Sequence, residues 1–278
     1  MADPLGADEV RRALAEDRAD DDVTTNLLGS SGERQARGQF IAEGRFVVAG
    51  LPIVARVFEQ LEPGARLHAT TAEGEWSRPG AAVATVQASA RAHLAGERVA
   101  LNFLQRLCGV ATLTRRAVEA VAGTGARITH TRKTTPGLRA LERYAVMVGG
   151  GVENRISLAD AILWKDNHWA LLDGASLLRA VGKAPPGIPV IVEVETDAQL
   201  EQALTAGVRH ILADNQPPAR IAAWVRRAGP AVTIQASGGI TVETARAYGE
   251  AGAALISIGA LTHSAPAAPI RYEIALVA

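Results

Sequence analysis

The second half of the chain places a polar or small residue at the end of each of its short apolar runs. These residues are Arg132, Lys133, Lys165, Glu195, Asp214, Ser237 and Gly259. The cations among them suit anion binding, because an arginine fork binds a carboxylate or phosphate bidentately and a lysine provides a compact charge. Cations gathered at one place repel one another unless they share a ligand with several negative charges. The set therefore predicts a site for a multiply anionic small molecule.

The carboxylates of this set suggest a second role. Glu195 and Asp214 are suited to accept hydrogen bonds from sugar hydroxyls. They are also suited to hold Mg²⁺, which takes only one or two protein carboxylates when phosphates provide the other ligands. Glu193, two residues earlier, points to the same side of a strand. We rank Glu193 second, because a charge pair inside the fold would explain it equally well.

Small residues follow the last two apolar runs, in the stretches ASGGI and SIGALTHS. Small side chains let backbone N–H groups approach a phosphate, and the phosphate site of a βα barrel usually follows its final strands. The two glycine-rich stretches therefore predict a phosphate site after the last strands.

The stretch GGGVENRIS at 149–157 adds another cation, Arg155. It follows a segment with a helical apolar stripe, GLRALERYAVMV, which Pro136 is predicted to open and Gly149 to end. We interpret the stretch as a helix stop followed by a loop that delivers Arg155 to a carboxylate. For the arginines of this helix and loop, the alternative is a solvated surface.

The apolar runs that carry these residues alternate with helical segments. IPVIVEVET, RHILADN and AVTIQASGG are apolar and β-branched, and TDAQLEQALTAG and PPARIAAWVRRAG lie between them. This alternation predicts βα units and a parallel sheet. The carboxyl ends of barrel strands point into one shared site. We therefore predict a barrel catalytic domain at 109–265.

The remainder of the chain predicts a second domain. Residues 1–108 combine short β-like runs with helical pieces, and the helical stretch GERVALNFLQRLCGVATLTRRAVEAVAG follows them. A helix of that length is suited to bridge two domains. The alternating residues at 266–278 are predicted to form a strand that returns to the N-terminal domain.

Composition narrows the function classes. With 278 residues, of which 48% are hydrophobic, the chain can bury a full core. Its formal net charge of +0 argues against nucleic-acid or membrane-surface binding driven by bulk charge. The one cysteine, Cys108, excludes an internal disulfide and is expected to be buried, because its neighbours are apolar. No run approaches the roughly 18 apolar residues of a membrane span, and no signal peptide is recognisable. We expect a cytoplasmic protein.

Eight motifs, in order, resemble the quinolinate phosphoribosyltransferase family, the decarboxylating nicotinate-nucleotide pyrophosphorylases of NAD biosynthesis. They are ERVALNFLQRLCGVAT, TRKTTPGLRALERYAV, GGGV with Arg155 three residues later, KDNH, VEVET, ADN, SGGI and SIGALTHSA. The resemblance implies an N-terminal α/β sandwich plus an incomplete parallel α/β barrel. It also implies a homodimer or higher homo-oligomer with shared active sites, in which Arg98 reaches the neighbouring subunit's site.

The resemblance further implies the reaction and the roles of residues. The reaction would transfer phosphoribosyl from phosphoribosyl pyrophosphate to quinolinate, releasing pyrophosphate and CO₂. Substrates would be bound by Arg98, Arg132, Lys133, Asn154, Arg155 and Lys165. The catalytic residues would be Lys133, Lys165, Glu195 and Asp214, the last two serving the ribose hydroxyls and Mg²⁺. Phosphate would be bound by Ser237, Gly238, Gly239, Gly259 and His263.

Two departures from the family pattern lie near the expected acceptor pocket. Asn154 stands where the family usually has a histidine that contacts the substrate carboxylate, and His130 stands where it usually has aspartate. One alternative is therefore a paralogous phosphoribosyltransferase for a different aromatic or pyridine carboxylic acid. Another, from a different class, is a non-catalytic barrel that binds a phosphosugar. The combination of Lys133, Lys165 and the two acids argues against it, because binding alone does not need both acids.

Overall fold

The computed structural model describes residues 5–172 and 174–277, so the outer ends of the predicted domains, at residues 1 and 278, lie outside the described residues. Within these ranges the α-helices are α1 Ala7–Glu16, α2 Val23–Asn26, α3 Leu51–Leu61, α4 Ala90–Ala120, α5 Arg139–Val148, α6 Asp166–Leu171, α7 Gly174–Gly182, α8 Asp197–Thr205, α9 Pro218–Ala228, α10 Val242–Glu250 and α11 Ala260–His263. The strands are β1 Gln35–Ala42, β2 Arg66–Ala69, β3 Ala82–Ser89, β4 Arg127–Thr129, β5 Ile162–Trp164, β6 Val190–Val194, β7 His210–Asp214, β8 Thr233–Ser237, β9 Leu255–Ser257 and β10 Ile270–Leu276.

The described residues form two compact units that are discontinuous in sequence. The first contains 5–115, 134–150 and 262–277, and the second contains 116–133 and 151–261. Helix α4 carries the chain from the first unit into the second. Of the residues described, none belongs to a helix that is both long enough and apolar enough to cross a membrane.

The first unit is built on an antiparallel sheet with the strand order β10-β1-β3-β2. Strand β10 pairs with β1 from Ala42 opposite Ile270 to Ala36 opposite Leu276, so the last residues of the chain lie beside its first strand. Phe40 of β1 is fully buried, and its ring centroid lies 6.4 Å from that of Phe58 on α3. Burial of such aromatic side chains joins the helix layer to the sheet.

The structure confirms that Cys108 is buried, as expected from its apolar neighbours. It lies on α4 and is completely buried. Burial is the largest cause of a pKa raised to about 12, so the thiol stays protonated at neutral pH.

The segment 134–150 belongs to the first unit because of a buried carboxylate. Glu142 of α5 has no exposed surface and accepts a hydrogen bond of 2.6 Å from Arg106 of α4. The same carboxylate accepts bonds from the backbone N–H and hydroxyl of Thr135. Removing either partner of such a buried ion pair should lower the free energy of unfolding by about 3–5 kcal/mol, because the other charge would be left without its partner.

The start of α5 differs from the expectation. Pro136 was predicted to open the helix, whereas the helix begins at Arg139. Pro136 instead lies in a turn closed by the Leu138 N–H, which donates to Thr135 O at 3.0 Å, and the turn uses the left-handed φ of Gly137. The tight turn delays the helix by three residues.

Gly149 ends α5 as predicted, and the structure explains why a glycine is needed there. A Cβ at Gly149 would lie 2.6 Å from Ala111 O and 2.7 Å from Thr114 Cβ on α4. Gly150 adds a left-handed φ of 95°. The first glycine therefore allows close helix packing and the second turns the chain.

The second unit confirms the predicted parallel sheet, which has the strand order β4-β9-β8-β7-β6-β5. The first and last strands of the unit, β4 and β9, are neighbours, as in a barrel. Among the described residues no ladder joins β4 to β5, and β4 has only an isolated bridge between Thr129 and Val152 on that side. The barrel is therefore incomplete, as expected.

Side chains at the helix starts fix where the strands of this unit end. The Thr196 hydroxyl accepts the Gln199 N–H, while the Gln199 side chain accepts the N–H groups of Glu195 and Thr196. This capping box begins α8 immediately after β6, which ends at Val194. Helix α9 packs beside α8, and Trp224 donates to the Asp197 carboxylate at 2.6 Å.

Candidate active site

The carboxyl ends of the parallel strands surround a cavity of about 420 Å³ in the second unit. The structure brings together these residues predicted from sequence: Arg132, Lys133, Asn154, Arg155, Lys165, Asp214 and Ser237. They come from four strand ends and from the loop after Gly151. The parallel register explains the convergence, since it places all carboxyl ends at one edge.

Positive charge dominates one side of the cavity. Arg132 and Lys133 follow β4, Lys165 follows β5, and Arg155 lies half-buried on the loop. Burial is the main cause of a lowered pKa for Arg155, and the charge of Arg132 adds to it. The Nε atom of Arg132 is buried without a hydrogen-bond partner among the described residues. Both observations are consistent with anion binding on this side of the cavity.

The positions of the carboxylates differ from the order in which the sequence ranked them. Glu193 and Asp214 line the cavity, while Glu195, which the sequence ranked first, is exposed and outside the lining. Strand β6 ends at Val194, and the backbone N–H of Glu195 already belongs to the cap of α8. Burial raises the pKa of Glu193, and the neighbouring charge of Asp214 raises it further.

The alternation of side chains along β6 could have identified Glu193 as a cavity residue. Residues two apart in a strand face the same side, so Glu193 shares the cavity face with Ile191, just as Asp214 shares it with Leu212. Glu193 is also the register partner of Leu212. Asp166, at the start of α6, is a further lining carboxylate that the sequence interpretation missed. Its carboxylate lies 3.8 Å from the Lys165 ammonium.

Apolar side chains form part of the cavity lining. Leu163, Ile191 and Leu212 line it and pack with the buried Ala161. The cavity therefore offers an apolar surface next to cations, which is suited to a flat ring that carries negative substituents.

The Asp214 carboxylate is held in place by a residue that sequence reasoning missed. Asn215 has a left-handed φ of 52°, and its side-chain amide donates to Asp214 Oδ2 at 2.6 Å. Its backbone N–H donates to Ser237 O at 2.9 Å. Gly238 makes room for this arrangement, because a Cβ there would lie 2.2 Å from Asn215 Oδ1. Gly238 thus has a packing role in addition to the predicted phosphate role.

The other predicted residues do not line this cavity. Gly238 and Gly239 directly follow Ser237, and Gly259 follows β9 in the second unit. His263 and Arg98 belong to the first unit, where Arg98 is exposed on α4. Their predicted roles in phosphate and partner-site binding stay predictions.

Asn154 lines the cavity, but hydrogen bonds within the protein occupy its amide. Its Nδ2 donates to His130 O at 3.0 Å, and its Oδ1 accepts the Arg155 N–H at 2.8 Å. Its own backbone N–H donates to His130 Nε2 at 3.1 Å. The two residues that depart from the expected pattern therefore contact each other.

Two family models match this chain along most of its length. The model described as quinolinate phosphoribosyl transferase, N-terminal domain, matches 22–108, and the C-terminal domain model matches 110–272. The chain belongs to the quinolinate phosphoribosyl transferase family. This confirms the resemblance drawn from the eight motifs.

Named relatives of this family agree with that assignment. A Mycobacterium leprae protein named nicotinate-nucleotide pyrophosphorylase (carboxylating) is 40% identical over 92% of this chain and 93% of the relative. A Bacillus subtilis protein with the same name, marked probable, is 37% identical over 92% and 90%. The solved structure of NadC from Streptococcus pyogenes is 34% identical with a TM-score of 0.92, covering 98% of this chain and 97% of that one.

The packing of Gly238 against Asn215 makes a testable prediction about stability. Gly238→Ala should lower the free energy of unfolding by about 2–4 kcal/mol, since it adds an overlap to the strain of a left-handed φ. Gly239→Ala is the matched control, because Gly239 also has a positive φ but its added Cβ meets nothing within 4 Å. The control should lose only about 1–2 kcal/mol in urea unfolding. Equal losses would show that Asn215 moves aside freely.

Proposed function

We propose that the chain transfers phosphoribosyl from phosphoribosyl pyrophosphate to quinolinate with decarboxylation. The products are nicotinate mononucleotide, pyrophosphate and CO₂, and the activity is that of a pentosyltransferase of NAD biosynthesis. The observation that carries the proposal is the cavity, which combines four cations with an apolar surface in a chain of this family. A pyridine ring with two carboxylates and a substrate rich in phosphate match those two properties.

The cations of the cavity serve two anionic substrates. Arginine forks at Arg132 and Arg155 suit the planar carboxylates of quinolinate, and Lys133 and Lys165 suit phosphate oxygens or a carboxylate. The cations thereby orient the acceptor and the donor and stabilise the charge that develops on pyrophosphate as it leaves.

The reaction then follows from charge placement. The ring nitrogen of quinolinate forms a bond to ribose C1, and the bond from C1 to pyrophosphate breaks with its electron pair leaving on oxygen. The ribose carries positive charge in this step, and Glu193 and Asp214, two of the three carboxylates that line the cavity, are suited to stabilise it. Loss of the 2-carboxylate as CO₂ leaves an electron pair on ring carbon 2. The adjacent pyridinium nitrogen stabilises that pair until a proton is added.

Mg²⁺ belongs to this proposal, with Glu193 and Asp214 as the residues that would hold it. Each carboxylate faces the charge of the other, and Glu193 is half-buried, so a cation between them would relieve an existing repulsion. Among the described residues no group of three or more metal-ligating side chains is present. Two carboxylates suffice for Mg²⁺ that arrives with phosphates, whose charge the ion neutralises. We thus keep Asp214 from the sequence-based proposal and propose Glu193 in place of Glu195.

We further propose a homodimer with shared active sites and a cytoplasmic location. The exposed position of Arg98 on α4 supports the shared site, since the guanidinium is available to a second subunit. The buried, protonated Cys108 is compatible with a reducing compartment.

A product-release assay tests the activity. The protein with Mg²⁺ and phosphoribosyl pyrophosphate should release pyrophosphate and CO₂ in equal amounts from quinolinate, because decarboxylation follows each transfer. Nicotinate and benzoic acids should give neither product. Lys133→Met, purified in the same way, is the control for contaminating activity. Turnover of another acid without CO₂ release from quinolinate would favour the paralogous function instead.

A matched pair of carboxylate variants tests the placement of the acids. Glu193→Gln should lower kcat/KM for phosphoribosyl pyrophosphate by about 10- to 100-fold, the range for loss of a hydrogen bond to a charged group. Glu195→Gln should change it by less than about twofold, because Glu195 is exposed outside the cavity. If steady-state kinetics showed a larger loss of kcat/KM in Glu195→Gln than in Glu193→Gln, Glu195 would be the site carboxylate, as the sequence ranking predicts.

Mixed dimers test the shared site. Arg98→Ala and Lys133→Ala should each be nearly inactive alone, since each would disable both sites of a dimer. After unfolding and refolding together, about a quarter of the wild-type activity should return, because half of the dimers then contain one site without either change. Activity that stays at the level of the separate variants would place Arg98 in its own subunit's site or outside any site.

A further inference from the structure

The loop that carries Arg155 is anchored to the edge strand β4 by backbone and side-chain hydrogen bonds. The Val152 N–H donates to Ile128 O at 2.8 Å, and the Thr129 hydroxyl donates to Val152 O at 2.9 Å. These two bonds hold the start of the loop. They leave the two residues before Arg155, Glu153 and Asn154, to be fixed by other contacts.

Asn154 fixes the second half of the loop by three hydrogen bonds. Two of them join it to His130, through the backbone N–H to Nε2 and through Nδ2 to the backbone oxygen. The third joins Asn154 Oδ1 to the Arg155 N–H. The amide thus has its oxygen toward the arginine backbone and its nitrogen toward β4.

His130 is chemically matched to this role. It is 1% exposed, and the Asn154 N–H points at its Nε2 atom, which must therefore carry a lone pair. The nearest Glu153 carboxylate oxygen lies 3.7 Å from Nε2, beyond hydrogen-bond distance. The Nε2 atom therefore acts as a hydrogen-bond acceptor for the loop.

Arg155 needs such a constraint because competing charges surround it. Arg132 repels it, whereas Glu193 and Asp160 attract it. A long arginine side chain on a loose loop would turn toward either carboxylate. Fixing the backbone at Arg155 limits the directions in which its guanidinium can point.

We propose that His130 and Asn154 form a clamp that positions Arg155 for the acceptor's carboxylate, and that Asn154 is a positioning residue instead of a substrate ligand. The inference rests on the proposed function, in which Arg155 binds quinolinate. It explains both departures from the family pattern, His130 and Asn154, by the hydrogen bonds between them. Specificity for a carboxylate then resides in Arg155, and Asn154 does not select a different acceptor.

A double-mutant cycle tests the clamp. Asn154→Ala should raise KM for quinolinate about 5- to 10-fold, the effect of losing hydrogen bonds of ordinary strength, and leave KM for phosphoribosyl pyrophosphate within about twofold. In an Arg155→Met background the same change should have less than about a twofold further effect, because its target is already absent. If Asn154 bound the substrate directly, the two losses would multiply, and that result would overturn the proposal.

Variants of His130 and Thr129 distinguish specific positioning of Arg155 from a general loosening of the loop. His130→Gln should keep KM for quinolinate near the wild-type value, because its side-chain oxygen can replace the Nε2 acceptor, whereas His130→Leu should match Asn154→Ala. Thr129→Val is the matched control, since it removes another bond between the same strand and loop. It should lower stability and leave KM for quinolinate unchanged. A KM increase in Thr129→Val equal to that in Asn154→Ala would contradict a specific clamp.

A measurement without turnover distinguishes failure of the clamp from failure of the proposed function. The Arg155 Nε–H signal in a spectrum of arginine-labelled protein is identified by its absence in Arg155→Lys. It should shift or broaden in Asn154→Ala and remain in place in Thr129→Val. An unchanged signal in Asn154→Ala would refute the clamp. Absence of quinolinate turnover by the wild-type protein, with the signal shifted as expected, would refute only the proposed function.

Discussion

Repulsion between like charges at one edge of a parallel sheet is the constraint on which this site depends. Parallel register brings the carboxyl ends of β4 to β9 together, and with them four cations and three carboxylates. Burial is the largest cause of the lowered pKa of Arg155 and of the raised pKa of Glu193, and the like charges of Arg132 and Asp214 add to these shifts. Such an arrangement is favourable only when the fold fixes each charge and when anionic ligands and a cation can occupy the spaces between them.

The fold fixes those charges through neighbours that do not themselves bind a substrate. Asn215 holds the Asp214 carboxylate and depends on the absence of a side chain at Gly238. Asn154 and His130 hold the backbone of Arg155 in an equivalent way. In both cases an asparagine amide next to a charged residue supplies the constraint. Preorganised charges stabilise a reaction because they need not reorient as it proceeds.

Much of this arrangement was predictable from local sequence pattern. The apolar runs gave the strands of the parallel sheet, and Asp214, Lys165 and Arg132 were found because each ends such a run. Glu193 was ranked second because a charge pair inside the fold would explain it equally well. The apolar pattern also does not show that β6 ends at Val194, before Glu195. Pro136 does not start the helix because it lies in a turn that is closed by the Leu138 N–H on Thr135 O and uses the left-handed φ of Gly137.

The sequence by itself determined the family, the order of strands and helices, and the cations that meet at the strand ends. These follow from local periodicity and motifs, which short stretches of chain contain in full. Only the tertiary structure decided that Glu193 faces the cavity, that Asn154 bonds to His130, and that 134–150 joins the first unit. Each of those outcomes depends on strand register or on contacts between residues distant in the chain, and neither is encoded in any single stretch.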